Sequence, residues 1–216
     1  MGPVEQPATD LDTVVFDLGG VLADWDPRYL YREMFGDDEE AMEQFLATVT
    51  TPEWNLAMDA GRDRAEAVAE LVAAHPGHEP LIRAWVDRWE EMLGAEIAGT
   101  ALIVDDLASA GVRLLALTNW SAETFPTARL RYPSFSRFEG IVVSGEHGLA
   151  KPDPTLYEVL LTRFEVDPRR AAYVDDKPVN VEVARGMGFT GLVFRTPAEL
   201  RADLVRLRLL PGPTLG

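Results

Sequence analysis

"TVVFDLGGVLADWDP", residues 13–27, decides the fold. Val14, Val15 and Phe16 form a short apolar run that ends on Asp17, and the pair Gly19-Gly20 follows at once. A run of this length and composition reads as a buried strand. The acid at its end admits three readings: a turn former, a metal ligand or a nucleophile. The rest of the chain has to choose among them.

The 216 residues suit one large domain, or a core with one insert, and 47% apolar residues suffice for a packed interior. Lys and Arg number 20 against 36 Asp and Glu, for a net charge of −16. Such a surface repels phosphate backbones, so nucleic acid is not an expected partner. With no cysteine, disulfides, thiol catalysis and thiolate metal sites are excluded. The opening MGPVEQPATD has no basic-then-apolar pattern, and no apolar run nears the ~20 residues that span a bilayer. A cytoplasmic protein without membrane contact is therefore expected.

Further apolar runs at Arg113–Thr118, Gly140–Ser144, Ala171–Asp175 and Gly191–Phe194 alternate with helical patterns. Repeated strand–helix alternation predicts an α/β fold, a Rossmann-like parallel sheet with helices on both faces. From about Pro27 to Gly94 only helical periodicity is found, as in Ala65, Val68, Ala69 and Val72. The expected organisation is a core of residues 10–26 and 95–210, a helical insert at 27–94, and loose tails at 1–9 and 211–216.

Open parallel sheets bind ligands beyond the C-terminal ends of their strands. Asp17, Thr118-Asn119, Lys151 and Asp175-Asp176 all follow such ends, so they converge on one rim. An insert after the first strand would hang over that rim as a water-excluding lid. Three carboxylates at one spot need a cation, and hard oxygen ligands without Cys or His favour Mg²⁺. Lys151 and the Thr118 hydroxyl supply donors for an anion, which suits phosphoryl transfer. Asp17 can then attack phosphorus. The backbone amides of Leu18 and Gly19 can cradle phosphate oxygens.

The segments V-F-D-L-G-G-V-L (15–22), L-T-N-W (117–120), G-L-A-K-P-D-P (148–154) and Y-V-D-D-K-P-V-N (173–180) together resemble the haloacid dehalogenase-like hydrolase superfamily. The match in order and spacing runs from about residue 13 to 195, and the insert at 27–94 resembles the family's helical cap in its position. The resemblance implies that Asp17 is the nucleophile and a metal ligand, with the Gly19 carbonyl, Asp176 and Asp175 completing the site. It also implies that Thr118 and Lys151 bind the phosphoryl group, that Lys151 restrains Asp17, and that Asn180 orders the metal's waters. The implied substrate is a small phosphorylated metabolite.

One departure stands out. Most phosphatases of the family carry a second Asp two residues after the nucleophile, as general acid and then base. Here that position is Gly19. This D-x-G variant is similar to sugar-phosphate phosphatases. Alternatives are a 2-haloacid dehalogenase or a catalytically weak binding protein. Dehalogenases of the family resemble one another in a Ser-Ser-Asn segment where this chain has Val174-Asp175-Asp176, and that acid pair favours metal and phosphate. Without an acid at 19, a steep dependence of rate on the leaving group is expected unless another residue, such as His147 or Asp24, donates the proton.

In the insert, Trp85 and Trp89 read as cap core, and His75 and His78 as residues flanking a turn. Asp26-Pro27 reads equally as a helix start or a substrate contact, beside Trp25. Trp54, Asn55, Asp59 and Arg62 interrupt the helical periodicity with polar groups, so with Trp25 they are the candidates for substrate selection.

Overall fold

The structure, a computed structural model, describes residues 11–212. Of the expected tails, 1–9 and 213–216 lie outside the described residues. The first strand, β1 (Thr13–Phe16), occupies the centre of a five-stranded parallel sheet with β4 (Arg113–Thr118), β5 (Gly140–Val143), β6 (Ala171–Asp175) and β7 (Thr190–Val193). Their order is β5-β4-β1-β6-β7. β1 pairs with β4 on one side and β6 on the other, so Thr13 sits level with Arg113 and Ala171.

Alternation along the strands sorts side chains to two faces. Val14, Phe16, Leu114, Ala116, Ala172 and Val174 enter one apolar cluster with α6 (Ala98–Ser109), α7 (Phe125–Arg131) and α10 (Pro197–Arg206). Val15, Leu115, Leu117, Ala171 and Tyr173 enter the other with α8 (Pro154–Arg163) and α9 (Pro178–Gly186). Both faces are covered, which explains why these strands read as continuous apolar runs rather than alternating ones. Each large apolar side chain so buried contributes roughly 1.5–3 kcal/mol.

Between β1 and α6 lie α1 (Arg28–Phe35), α2 (Glu39–Thr48), α3 (Pro52–Asp59), α4 (Arg64–Ala74) and α5 (Glu79–Asp87). They pack around a cluster of their own, which includes Tyr31, Phe45, Met58, Val68, Ile82 and Trp85. Side-chain caps set several starts: Asp38, Thr51 and Asp63 accept from the amides of Ala41, Trp54 and Glu66. Asp26 does the same for the Arg28 amide at 2.9 Å, so Asp26-Pro27 starts a helix.

The expected strand-free stretch at 27–94 needs a correction. β2 (Ala23–Trp25) and β3 (Leu93–Glu96) form a separate antiparallel pair through which the chain enters and leaves the helical segment. Gly94 hides this strand from a propensity reading, yet glycine is required there. A Cβ at 94 would sit 2.5 Å from the Asp24 carboxylate. Among the described residues no helix is long and apolar enough to cross a membrane.

Candidate active site

The C-terminal rim of the sheet carries the charged residues. β1 stops at Phe16, but the Asp17 amide still donates to the Val174 carbonyl of β6 at 2.8 Å, which holds Asp17 in register beside Asp175. The chain then turns sharply, with the amides of Val21, Leu22 and Ala23 all converging on the Leu18 carbonyl. Gly20 makes that turn possible: its φ is +74°, and a Cβ would meet Asp176 Oδ2 at 3.0 Å.

Lys151 organises the buried part. Its Nζ contacts Asp17 Oδ2 and Asp175 Oδ2 at 2.8 Å each and donates to the Leu117 carbonyl at 2.9 Å. A reciprocal pair of bonds fixes its backbone: Lys151 N donates to Asn119 Oδ1 at 2.8 Å, and Asn119 Nδ2 donates to the Lys151 carbonyl at 3.0 Å. Burial alone would pull the Lys151 ammonium down, but Asp17 and Asp175 hold it above the ordinary lysine value.

The three carboxylates have different surroundings. Asp175 is fully buried and accepts from Lys151 Nζ, the Tyr173 hydroxyl, the Lys177 amide and Asn180 Nδ2. Burial works against its charge, but Lys151 and these donors keep it below the usual carboxylate value. Asp17 is pushed up to about 7, first by burial against the pull of Lys151, then by Asp175 and Asp176. Asp176 is also raised, by burial and by Asp175, and its Oδ1 is buried with no hydrogen-bond partner.

Three carboxylates thus face one buried ammonium, and each offers an oxygen within 4.8 Å of the others. The surplus negative charge and the orphaned Asp176 oxygen are what a hard divalent cation would satisfy. Among the described residues this is the one cluster of His, Cys, Asp and Glu side chains able to hold a metal ion. Each Asp175 oxygen accepts from two or more protein donors, whereas each Asp17 oxygen accepts from one and Asp176 Oδ1 from none, so Asp17 and Asp176 have the more available lone pairs. At the neighbouring strand end, Thr118 is fully buried and its hydroxyl also lacks a partner.

A cavity of about 630 Å³ opens above this rim, within the ~300–1,000 Å³ usual for small-molecule sites. Asp17, Gly19, Asn119, Lys151 and Asp176 form its floor. Its walls come from the helical segment and its connections, with Trp25, Trp85, Trp89, Leu46 and Leu56 among them, and Trp120 closes the core side.

Several expected roles change. The Leu18 amide does not point to a phosphate here, because it donates to Asp17 Oδ1 at 2.7 Å. Asn180 lines the cavity and holds Asp175 through Nδ2, at 3.0 Å to each oxygen. Of the candidates for substrate selection, Trp25, Asn55 and Asp59 line the cavity and Trp54 and Arg62 do not. Trp54 packs against Trp85 and donates to the Ala67 carbonyl, and Arg62 pairs with Glu70 outside the cavity. Trp54 and Asn55 point about 100° apart on α3, and here the first faces the helical cluster and the second the cavity. Trp85 and Trp89, expected in the core, line the cavity as well. The wall also holds Arg28 paired with Glu43, and Thr50, whose buried hydroxyl is unpartnered. Nothing in their local sequence marked these three. His147 and Asp24 line no part of the cavity, and Asp24 accepts from the Tyr29 hydroxyl at 2.6 Å.

Residues 11–188 match the family described as haloacid dehalogenase-like hydrolase. A sesquiterpene phosphatase of Aspergillus oryzae is 27% identical over 207 residues, covering 94% of this chain and 98% of its own. Among solved structures, a HAD-like family hydrolase from Porphyromonas gingivalis superposes with a TM-score of 0.70 at 24% identity, covering 90% of this chain and 98% of that one. An enzyme of the same family from Bacteroides thetaiotaomicron, in complex with magnesium and inorganic phosphate, gives 0.62 at 18% identity, covering 86% and 95%. Dehalogenases share the fold too, so the fold alone does not choose between carbon–halogen and phosphate chemistry. A match over residues 11–188 of the 216, on a chain with this rim, makes the protein a member of the haloacid dehalogenase-like hydrolase family.

Proposed function

We propose that this hydrolase is a Mg²⁺-dependent phosphatase that cleaves a small phosphorylated metabolite through an aspartyl-phosphate on Asp17. The observation that carries the reading is the Asp17–Lys151–Asp175 array beside the orphaned oxygen of Asp176. A haloacid substrate brings one carboxylate and needs no divalent cation, so it leaves Asp176 unexplained. A phosphoryl group accounts for it.

Asp17, Asp176 and the Gly19 carbonyl would hold Mg²⁺, which supplies charge neutralisation to the phosphoryl oxygens when bound. Lys151 and the Thr118 hydroxyl bind those oxygens from the other side, while Asn119 fixes Lys151. An Asp17 oxygen attacks phosphorus as the ester P–O bond breaks, and the departing oxygen takes a proton. Water then attacks phosphorus, the Asp17–phosphorus bond breaks, and inorganic phosphate leaves with Asp17 regenerated. The helical segment acts as the cap that keeps bulk water from the site. Asp175 serves by pairing with Lys151 and anchoring the loop that carries Asp176.

The four indoles and two leucines of the wall suit an apolar carbon skeleton, in line with the terpenoid specificity in the Aspergillus relative's name. A sugar phosphate is the second reading, favoured by the Arg28–Glu43 pair, Asn55 and the unpartnered Thr50 hydroxyl in the same wall. A panel of terpenyl, sugar and aryl phosphates, assayed with Mg²⁺ and with EDTA beside 2-chloropropionate, tests the reading. Metal-dependent phosphate release supports it. Chloride release insensitive to EDTA replaces it with a dehalogenase.

A further inference from the structure

Resting on the phosphatase reading, a question remains about the proton. The first step needs a donor for the leaving oxygen and the second a base for water, and Gly19 can be neither. We propose that Asp59, at the C-terminal end of α3, is the catalytic acid–base group of this site, delivered by the cap in place of the missing acid at position 19.

Placement carries the proposal. Asp59 lines the same cavity as Asp17, Lys151 and Asp176. The end of α3 is pinned to the core: the Asp59 carbonyl accepts from the hydroxyl of Ser144, which also accepts from the Trp120 amide at 2.8 Å. One serine thus ties the cap residue to the loops that follow β4 and β5, both of which border the site. Asn55, one turn earlier, donates to Asp59 Oδ2 at 2.9 Å and sets the carboxyl's orientation.

The charge environment agrees with the placement. Burial pushes the Asp59 carboxyl up to about 7, although the Ser121 amide, Lys177 and Arg64 favour its ionised form. Arg64 is buried and also feels Glu123, Lys177 is exposed at the rim, and Glu53 lines the cavity from the start of α3. A carboxyl poised near 7 can give a proton to the leaving oxygen and, once ionised, take one from the attacking water. His147 and Asp24, outside the cavity, can do neither.

The test measures kcat and kcat/KM with Mg²⁺ for p-nitrophenyl phosphate and a simple alkyl phosphate. The proteins are the parent, Asp59→Asn, and Asp59→Asn combined with Gly19→Asp. Nitrophenolate leaves without protonation and alkoxide does not. Asp59→Asn should therefore lower the alkyl kcat/KM about 10²–10⁴-fold and the aryl kcat/KM far less, while the aryl kcat falls because hydrolysis of the phosphoenzyme has lost its base. A Cβ at Gly19 meets nothing within 4 Å, so the added carboxylate has room and should recover much of the alkyl rate. The parent itself, with no substitution, should show a shallow leaving-group dependence. A steep dependence in the parent, or a loss of kcat/KM in Asp59→Asn that is equal for both esters, overturns the proposal. Absence of turnover of either ester by the parent overturns instead the phosphatase reading beneath it.

Discussion

The rim of the sheet and the wall of the cap meet in one cavity, but they are built differently. Asp17, Thr118, Lys151 and Asp175 stand on strand ends or on a loop clamped by reciprocal backbone bonds, and all four are buried. Their geometry follows from the hydrogen-bond ladder, which leaves little freedom. Asn55, Arg28 and Glu43 stand on helices, and Thr50 on the link between two of them, so their positions depend on how five short helices settle around their own cluster. The rim is a fixed chemical device. The wall is a packing outcome, and that is where one family can vary its substrate while the chemistry stays put.

If that contrast holds, rim substitutions should strike both stability and turnover, and wall substitutions should strike recognition. Lys151→Ala should have the largest effect. It leaves Asp17 and Asp175 buried without their shared cation, which costs roughly 3–5 kcal/mol, and it removes phosphoryl binding. Urea unfolding together with an assay checks both. A stable, active variant would break the distinction. Asp176→Ala, on the rim but partly open to the cavity, should fold normally and raise the Mg²⁺ concentration for half-maximal activity by at least about tenfold. A Mg²⁺ titration decides this, and an unchanged curve would place the cation elsewhere.

The strands and the rim residues were legible in the sequence for a physical reason. Strands covered on both faces are apolar throughout, so the first polar residue marks where each leaves the core. Val14–Phe16 before Asp17 and Ala171–Val174 before Asp175 show this. The β2–β3 pair was not legible, because three or four residues interrupted by Gly94 carry no periodic signal. Nor was the wall. Trp54 and Asn55 are neighbours in sequence, yet one supports the cap core and the other faces the cavity, and only the docking of α3 decides which. Asp59 showed only as a polar break in a helix. Its environment comes from Ser144 and Ser121, more than sixty residues away in the chain.

Asp59 also sharpens the comparison through pH. Its folded-state value is raised from about 3.8 to about 7, so the unfolded chain releases this proton first as pH rises. Its burial therefore costs nothing below about pH 4 and destabilises the fold increasingly from there to about 7. Asp59→Asn should raise the melting temperature at pH 8, with a gain of up to about 4 kcal/mol, and the gain should vanish by pH 4. Thermal melts across that range read it out. A constant difference would mean that packing, not ionisation, is responsible. The smallest effect is expected at Arg62, which pairs with Glu70 on the outside of the cap. Arg62→Ala should change stability by no more than about 0.5 kcal/mol and leave KM unchanged, whereas Asn55→Ala should raise KM. Equal KM values for the two variants would erase the boundary drawn around the wall.

The central claim is that Asp17 is the nucleophile of a metal-dependent phosphatase. Borohydride reduction during turnover of p-nitrophenyl phosphate, followed by peptide mass spectrometry, tests it most directly, because an acyl phosphate is reduced to an alcohol while a free carboxylate is not. Asp17 should be converted to homoserine in the presence of Mg²⁺ and not with EDTA, and a correctly folded Asp17→Asn variant should show no turnover. Near-normal kcat in that variant, with native circular dichroism and no modified Asp17 in the parent, would contradict it.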